Sequence, residues 1–541
     1  MADRDPLHQF LLAPAFHPVP VTGAEAHHED DPLRQSWRHD LPASVVVALV
    51  ALPLCLGIAL ASGAPLFSGI IAGVVGGLVV GALSGSALMV SGPAAGLTAI
   101  VVSAIATLGS YPRFLAAVVI GGVLQLGFGL VGAGLVGYYF PSAVIKGMLA
   151  AIGIILVLKQ APHAVGYDAD FEGDESFRQL NDETTLSALR HIVDRVEPTA
   201  IVLSVLALAL LFAWPRLPWA RLRSVPAPLL AVVLGLAGNA FAATSGVALQ
   251  GEHLVQLPVA ASANEFFGLF VRPEWSAFAD GAVWQIGLTL AIVASLETLL
   301  SLEATDRMDP YRREAPPNRE LLAQGVGNVT SALLGGLPVT GVIVRSAANV
   351  AAGARTRWSA IMHGALLLVA VVAIPGALNR IPLAVLAAIL IHTGWKLAHP
   401  RHFFEARRAG LPQLIPFLVT VTAILFTDLL VGITIGLVVG FFFIVLDQIK
   451  APCYTVVSPP GSVLTRLRLH EHISFLHKAG LATMLDGLAR GSRLELDGTV
   501  CKRIDHDVLE LIHDFVETAA LRGIDYRLVA IPPLSGRSTA H

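Results

Sequence analysis

The chain has 541 residues, of which 55% are hydrophobic and only 14% are charged, and its mean hydropathy is +0.69. Soluble proteins carry about 25% charged residues, so this composition excludes an ordinary soluble protein and indicates one embedded in a membrane. The net charge of −3 excludes nothing, because the distribution of the charges matters more than their sum. The three cysteines show no metal-ligand spacing, so we expect neither a disulfide framework nor a metal site.

Residues 1–39 are polar and rich in proline and histidine, and they are predicted to form a disordered cytoplasmic tail. From there to residue 450, apolar runs recur at lengths near the roughly 20 residues that cross about 30 Å of hydrocarbon. They predict an α-helical polytopic membrane protein with fourteen segments in two sets of seven, the third and tenth being too short to span. The predicted segments are residues 41–62, 67–86, 93–107, 113–135, 141–159, 196–214, 226–243, 281–302, 318–334, 340–352, 357–375, 381–396, 411–428 and 430–449.

The basic residues that flank the segments predict the orientation, because lysine and arginine accumulate in cytoplasmic loops. All of the flanking groups fall on one side if the N-terminus is cytoplasmic, and the acidic stretch at residues 168–183 then falls on the other side. Both termini are therefore predicted to be cytoplasmic. The basic residues are Arg34, Arg38, Arg216, Arg221, Arg223, Arg307, Arg312, Arg313, Arg355, Arg357, Lys396, Arg401, Arg407 and Arg408.

The composition changes after the last apolar segment. Residues 459–533 read as strand, strand, helix, strand, helix, helix and strand, with period-two alternation in the strands and helical spacing of apolar residues at 508–520. This pattern predicts a small cytoplasmic α/β domain, followed by a tail at residues 534–541.

Two apolar segments are broken by glycine and proline, at SGPAAGL (residues 91–97) and at GLPVTGVIVRS (residues 336–346). Irregular backbone inside a membrane is tolerated where protein or a water-filled cavity covers it. In transporters, half-helices begin at such points and aim their free N–H groups at an anion. Glycine and proline also occur in membrane helices as packing contacts or kinks, and for either stretch alone that interpretation stays open.

The two breaks fall in the third segment of each set of seven, which indicates an inverted repeat with a binding site between its halves. We therefore predict an anion-binding site at the two breaks. Its predicted residues are Ser91, Gly92, Pro93, Ala94, Ala95, Thr340, Gly341, Val342 and Arg345.

Four stretches resemble the SulP family of inorganic anion transporters: residues 40–65, the break at 91–97, SLETLLSLEATDRM (residues 295–308) and residues 336–356. The C-terminal segment looks like the STAS domain of that family. The resemblance implies the seven-plus-seven inverted repeat shared with uracil permease, with a core domain that moves against a gate domain, usually in a homodimer. The animal members carry glutamine where this chain has Leu54, which leaves that wall of the site less polar.

Glu297 lies mid-way along the eighth predicted segment, where a buried carboxylate is costly and is by default a functional residue. The resemblance places it beside the anion site and implies that it handles a coupling cation. That cation is a proton, or Na⁺ with Glu297, Ser301 and Thr340 as ligands. The alternative is a structural role, with Glu297 paired to a neighbouring helix; Arg345 is a candidate for that pairing.

The sequence therefore predicts a secondary active transporter that moves a small inorganic anion by elevator-like alternating access in a bacterial inner membrane. Stretches that look like the bacterial branch associated with carbonic anhydrases favour bicarbonate before sulfate. They also make a carbonic anhydrase a candidate partner of the STAS-like domain. The alternative is an uncoupled exchanger or channel-like conductor of chloride or bicarbonate. We expect no enzymatic activity, no cofactor besides the coupling ion and no nucleic-acid partner; the other expected contacts are membrane lipid and a second copy of the chain.

Overall fold

A computed structural model describes residues 33–168, 185, 196–216, 226–257, 262–457 and 464–534. Most of the predicted N-terminal tail (1–32), the acidic stretch after residue 168, and the end of the predicted C-terminal tail (535–541) lie outside the described residues.

The membrane part is built from helices, with two short strands in the interior. The strands are β1 (Ser91–Pro93) and β2 (Val339–Gly341). The helix at Leu66–Leu83 passes through a π-helical turn at Gly76–Val80, and shorter helices lie at Ala263–Gly268, Pro375–Leu378 and Arg401–Arg408. The principal helices are α1 (Leu33–Ala61), α2 (Leu66–Leu83), α3 (Thr98–Leu108), α4 (Tyr111–Leu130), α5 (Ser142–Ala164), α6 (Pro198–Ala213), α7 (Ala227–Thr244), α8 (Gly281–Met308), α9 (Pro317–Leu334), α10 (Ile343–Ala351), α11 (Trp358–Ala373), α12 (Leu383–Leu397), α13 (Leu411–Phe426) and α14 (Leu429–Lys450).

Within the described residues, eight helices are long and apolar enough to cross a membrane: α1, α2, α4, α5, α7, α8, α14, and α12 together with the short helix after it. The chain is thus a helical polytopic membrane protein, while the count of fourteen segments stays a prediction. The prediction was wrong about residues 33–39, which belong to α1 rather than to a disordered tail. They contain no glycine or proline that would stop a helix.

Local chemistry explains several helix boundaries. The side chains of Ser110, Asp280 and Asp428 accept hydrogen bonds from backbone N–H groups in the first turns of α4, α8 and α14. The α3 and α9 helices end at Gly109 and Gly335, whose φ angles of 77° and 88° lie in the left-handed region that glycine adopts without strain.

Helices cross where glycines face each other, at the α2–α11, α4–α9 and α5–α12 contacts. A methyl group on any of these glycines would overlap the backbone opposite. In an inverted repeat of seven helices, α2 corresponds to α9, α4 to α11 and α5 to α12. The α2–α11 crossing then corresponds to the α9–α4 crossing, and the α5–α12 crossing and the β1–β2 pair each correspond to themselves. These equivalences agree with a seven-plus-seven inverted repeat. The facing glycines are Gly77 and Gly364, Gly122 and Gly325, and Gly153 and Gly394.

The C-terminal part is an α/β domain with its own hydrophobic core. Its four-stranded sheet has the order β3 (Tyr454–Val456), β4 (Leu464–Leu469), β6 (Arg493–Asp497), β8 (Asp525–Val529), with only β3 antiparallel to its neighbour. Two-residue strands β5 (His472–Ile473) and β7 (Arg503–Ile504) pair separately, and the main helices are α15 (Lys478–Asp486) and α16 (His506–Ala519).

This domain begins earlier than residue 459, the predicted boundary. The β3 strand pairs with β4, and Cys453 is buried in the domain core at 2% exposure. The prediction missed this start because a three-residue strand directly after a long apolar helix shows too little alternation to be recognised.

Candidate functional site

The two broken stretches meet in the interior. The β1 and β2 strands pair antiparallel, with Ser91 opposite Gly341, Gly92 opposite Thr340, and Pro93 opposite Val339. The chain then enters a short 3-10 turn at Ala95–Leu97 after Ala94, and it enters α10 after Val342. The structure thus brings together the predicted residues of both stretches, and it places the starts of α3 and α10 next to the strand pair.

Polar side chains from α9 hold this strand pair. Asn328 donates to the carbonyl oxygen of Val339 at 3.0 Å and accepts from its N–H at 2.6 Å. Gln324 donates to Ser91 Oγ at 2.7 Å and to the buried Glu320 carboxylate at 3.0 Å. We did not identify these residues from the sequence. The signal was a polar stripe at residues 320, 324, 328 and 331, whose spacing puts all four on one helix face.

The Glu297 carboxylate lies against the start of α3. A Cβ atom on Gly96 would come within 3.1 Å of Glu297 Oε1, so a larger residue at that position would press against the carboxylate. Glu297, Ser301 and Ile343 line a small cavity with about 10 Å³ of room, which is roughly the space of one water molecule. The rest of its lining is apolar and comes from Gly96 and from α5, α8 and α14.

The three residues predicted as Na⁺ ligands are not all in this cavity. Glu297 and Ser301 line it, whereas Thr340 lies outside the lining, fully buried in the strand pair. The hydroxyl of Thr340 has no hydrogen-bond partner among the described residues. Its neighbour Gly341 donates its N–H to Thr298 Oγ1 at 3.3 Å, so α8 contacts β2 through Thr298, which we did not predict.

Arg345 is completely buried in the first turn of α10. Its guanidinium group lies against the Cα of Gly92, and both it and the Cys55 sulfur contact Gly73. The guanidinium interacts with the Cys55 thiol, and none of its three nitrogens donates a hydrogen bond to Glu297. A buried charge that loses its ion-pair partner destabilises a protein by about 3–5 kcal/mol. A buried guanidinium without an ion pair is therefore an unfavourable arrangement that a bound anion would relieve.

Two larger cavities lie at opposite ends of α5 and α12. One, of about 290 Å³, is bounded by the end of α1, the start of α2 and the loop near residue 253. There the Asp168 carboxylate is buried and lies 2.6 Å from the Nδ1 atoms of both His163 and His253. The other cavity, of about 550 Å³, is bounded by the ends of α8 and α10. The α5 and α12 helices form one wall of each cavity.

The sequence model of the sulfate permease family matches residues 37–420 of this chain. The chain belongs to this family. Its members are transporters and not enzymes. YvdB of Bacillus subtilis, which is named for sulfate transport, is 26% identical over 77% of this chain and 75% of that protein. The bicarbonate transporter BicA of Synechocystis is 28% identical over 76% of this chain and 70% of that protein.

Solved structures agree with the fold. The transmembrane domain of a cyanobacterial BicA matches with a TM-score of 0.52 and 24% identity, over 75% of this chain and 97% of that one. SLC26A9 matches with a TM-score of 0.64 and 14% identity, over 93% of this chain and 85% of that one. The SLC26A9 match extends past the membrane helices, in agreement with a STAS-like domain at the C-terminus.

Proposed function

We propose that this sulfate permease family member is a secondary active transporter of a small inorganic anion in a bacterial inner membrane. The observation that carries the proposal is the fully buried Arg345, which forms no ion pair with the described residues and lies beside the strand pair where α10 begins. An anion bound there would neutralise the guanidinium and would also meet the free N–H groups of the helix start.

Bicarbonate is the favoured substrate and sulfate the next. One bicarbonate balances the single charge of Arg345 when Glu297 is protonated, whereas sulfate leaves one negative charge in excess in a low-dielectric interior. The named relatives include proteins described as sulfate transporters and as bicarbonate transporters, so they do not favour either anion. The preference for bicarbonate rests on the balance of charge.

The coupling ion is proposed to be a proton rather than Na⁺. The cavity at Glu297 offers oxygen ligands from Glu297 and Ser301, and its remaining lining is mostly aliphatic. Hard cations prefer shells of about six oxygens, which this cavity does not provide from side chains. A proton needs only the carboxylate and no shell of oxygen ligands.

The proposed mechanism is elevator-like, with both termini cytoplasmic. The two cavities at opposite ends of the α5–α12 wall support this mechanism. One opens between that wall and the α1 and α2 helices, and the other opens between that wall and the α8 and α10 helices. A homodimer and a carbonic anhydrase bound to the STAS-like domain are part of the same proposal.

The test is uptake of radiolabelled bicarbonate or sulfate into proteoliposomes under a pH gradient or a Na⁺ gradient. We expect bicarbonate uptake that follows the pH gradient and is lost in Glu297→Gln and Arg345→Gln, while Arg345→Lys keeps part of it. Glu274→Gln, in the exposed segment before α8, is the control and keeps full uptake.

Uptake that ignores both gradients and survives Glu297→Gln would overturn coupled transport and leave the uncoupled exchanger or channel. Uptake driven by the Na⁺ gradient alone would replace the proton by Na⁺.

A further inference from the structure

A strongly basic cavity lies where α8, α10 and α12 end and α5 begins. It has a volume of about 550 Å³, within the roughly 300–1,000 Å³ typical of small-molecule sites. We call it the basic vestibule. Its basic residues are Lys146, Arg307, Arg312, Lys396, Arg401 and His402.

Three of the five lysine and arginine side chains have no ion-pair partner among the described residues. Lys146 lies 3.4 Å from Glu405, the one acidic residue of the lining, and Arg307 pairs with Glu303 outside the vestibule. No ion pair involves the remaining three cations within the described ranges of the chain. These cations are Arg312, Lys396 and Arg401. Cytoplasmic loops are ordinarily basic, but here three unpaired cations from three separate segments converge on one cavity.

The vestibule adjoins the small cavity at Glu297. Ile343 lines the small cavity and Ala347 lines the vestibule, so one turn of α10, about 6 Å along the helix axis, separates them. Gly440 of α14 packs against Pro141 and Val144 near the start of α5. The vestibule therefore lies towards the end of α14 from which the STAS-like domain continues.

We propose that the basic vestibule is a second anion site, which takes a polyvalent phosphate-type anion and thereby closes the route to Glu297 from that face. A monovalent anion balances one of three unpaired cations, whereas a triphosphate balances all three. Arginine is also well suited to phosphate, because its planar fork donates two parallel hydrogen bonds. A ligand bridging Arg312 on one wall to Lys396 and Arg401 on the other also holds the α8–α10 and α5–α12 walls at a fixed separation.

The blocking part of this inference rests on the proposed transport function, and the binding part does not. The first test is calorimetric titration of the full-length protein in neutral detergent with inorganic tripolyphosphate. We expect the Kd to rise about tenfold or more in the double variant Lys396→Gln/Arg401→Gln, because two charge-assisted contacts are lost. Arg408→Gln is the matched control, since Arg408 is exposed on the same short helix but outside the lining, and it keeps wild-type affinity.

Gel filtration first establishes that the double variant is folded, and the single variant Arg401→Lys, which keeps the charge, should bind within a few-fold of wild type. Equal affinities in the double variant and the wild type would overturn the site, as would no measurable binding by the wild type. Calorimetry gives this answer whether or not uptake is observed, so failure of the site and failure of the transport function are distinguishable.

The second test places tripolyphosphate on the vestibule side of phosphatidylcholine proteoliposomes. Anion uptake should fall in the wild type and in Arg408→Gln but not in the double variant; uptake that is insensitive in the wild type would overturn the block. A parallel titration in vesicles that also contain cardiolipin identifies the source of the phosphate. Weaker tripolyphosphate binding there assigns the vestibule to a lipid headgroup, and unchanged binding assigns it to a soluble polyphosphate.

Discussion

Gly96 determines how closely α3 can approach the carboxylate of Glu297. A Cβ atom there would lie 3.1 Å from Oε1, tighter than an ordinary van der Waals contact. Overpacking of this kind costs about 1–3 kcal/mol, so Gly96→Val should lower uptake about tenfold or more. Gly127→Ala in α4 is the control, because a Cβ atom on Gly127 meets nothing within 4 Å. Full uptake by Gly96→Val would mean that Glu297 and the start of α3 do not work together.

Single residues also show how far the sequence can be interpreted. Glu297 stands out because one carboxylate in a long apolar run has a known cost. The surroundings of Arg345 could not be predicted, because its neighbours Cys55, Gly92 and His363 come from three distant parts of the chain. Which of the predicted residues contact one another therefore depended on packing.

Among the elements, α9 supports the strand pair through hydrogen bonds. Asn328→Ala would leave both backbone groups of Val339 without their buried partner, which costs about 1–3 kcal/mol. We expect a lower melting temperature in detergent and reduced uptake. Thr330→Ala is the control, because Thr330 donates only to a carbonyl of its own helix. An unchanged melting temperature for Asn328→Ala would show that β2 keeps its position without α9.

The sequence predicts the two half-helices because glycine and proline act on the local backbone. Their pairing partner was not recognised, since two strands of three residues each carry no usable alternation. The α9 helix is unusually polar for a membrane segment, and its polar face becomes meaningful only when β1 and β2 lie against it.

At the scale of the whole molecule, the C-terminal domain should fold on its own. Its core contains Cys453, and β3 forms the edge of its sheet. A fragment that starts at residue 452 should therefore melt cooperatively in a circular dichroism experiment. A fragment that starts at residue 459 loses β3 and one buried side chain, and should be about 2 kcal/mol less stable. Equal melting temperatures for the two fragments would show that the domain begins at residue 459.

The sequence by itself determined the class of protein, the two broken segments, the intramembrane acid and the separate α/β domain. These features depend on local properties: the length of apolar runs, the conformations of glycine and proline, and the cost of one buried charge. Only the tertiary structure decided which residues face each other. It separated Thr340 from the Glu297 cavity, left Arg345 without an ion-pair partner among the described residues, and gathered the basic vestibule from helices far apart in the chain. Such contacts join residues far apart in the sequence, such as Lys146 and Glu405 at a separation of 259 positions, and no local pattern encodes their register.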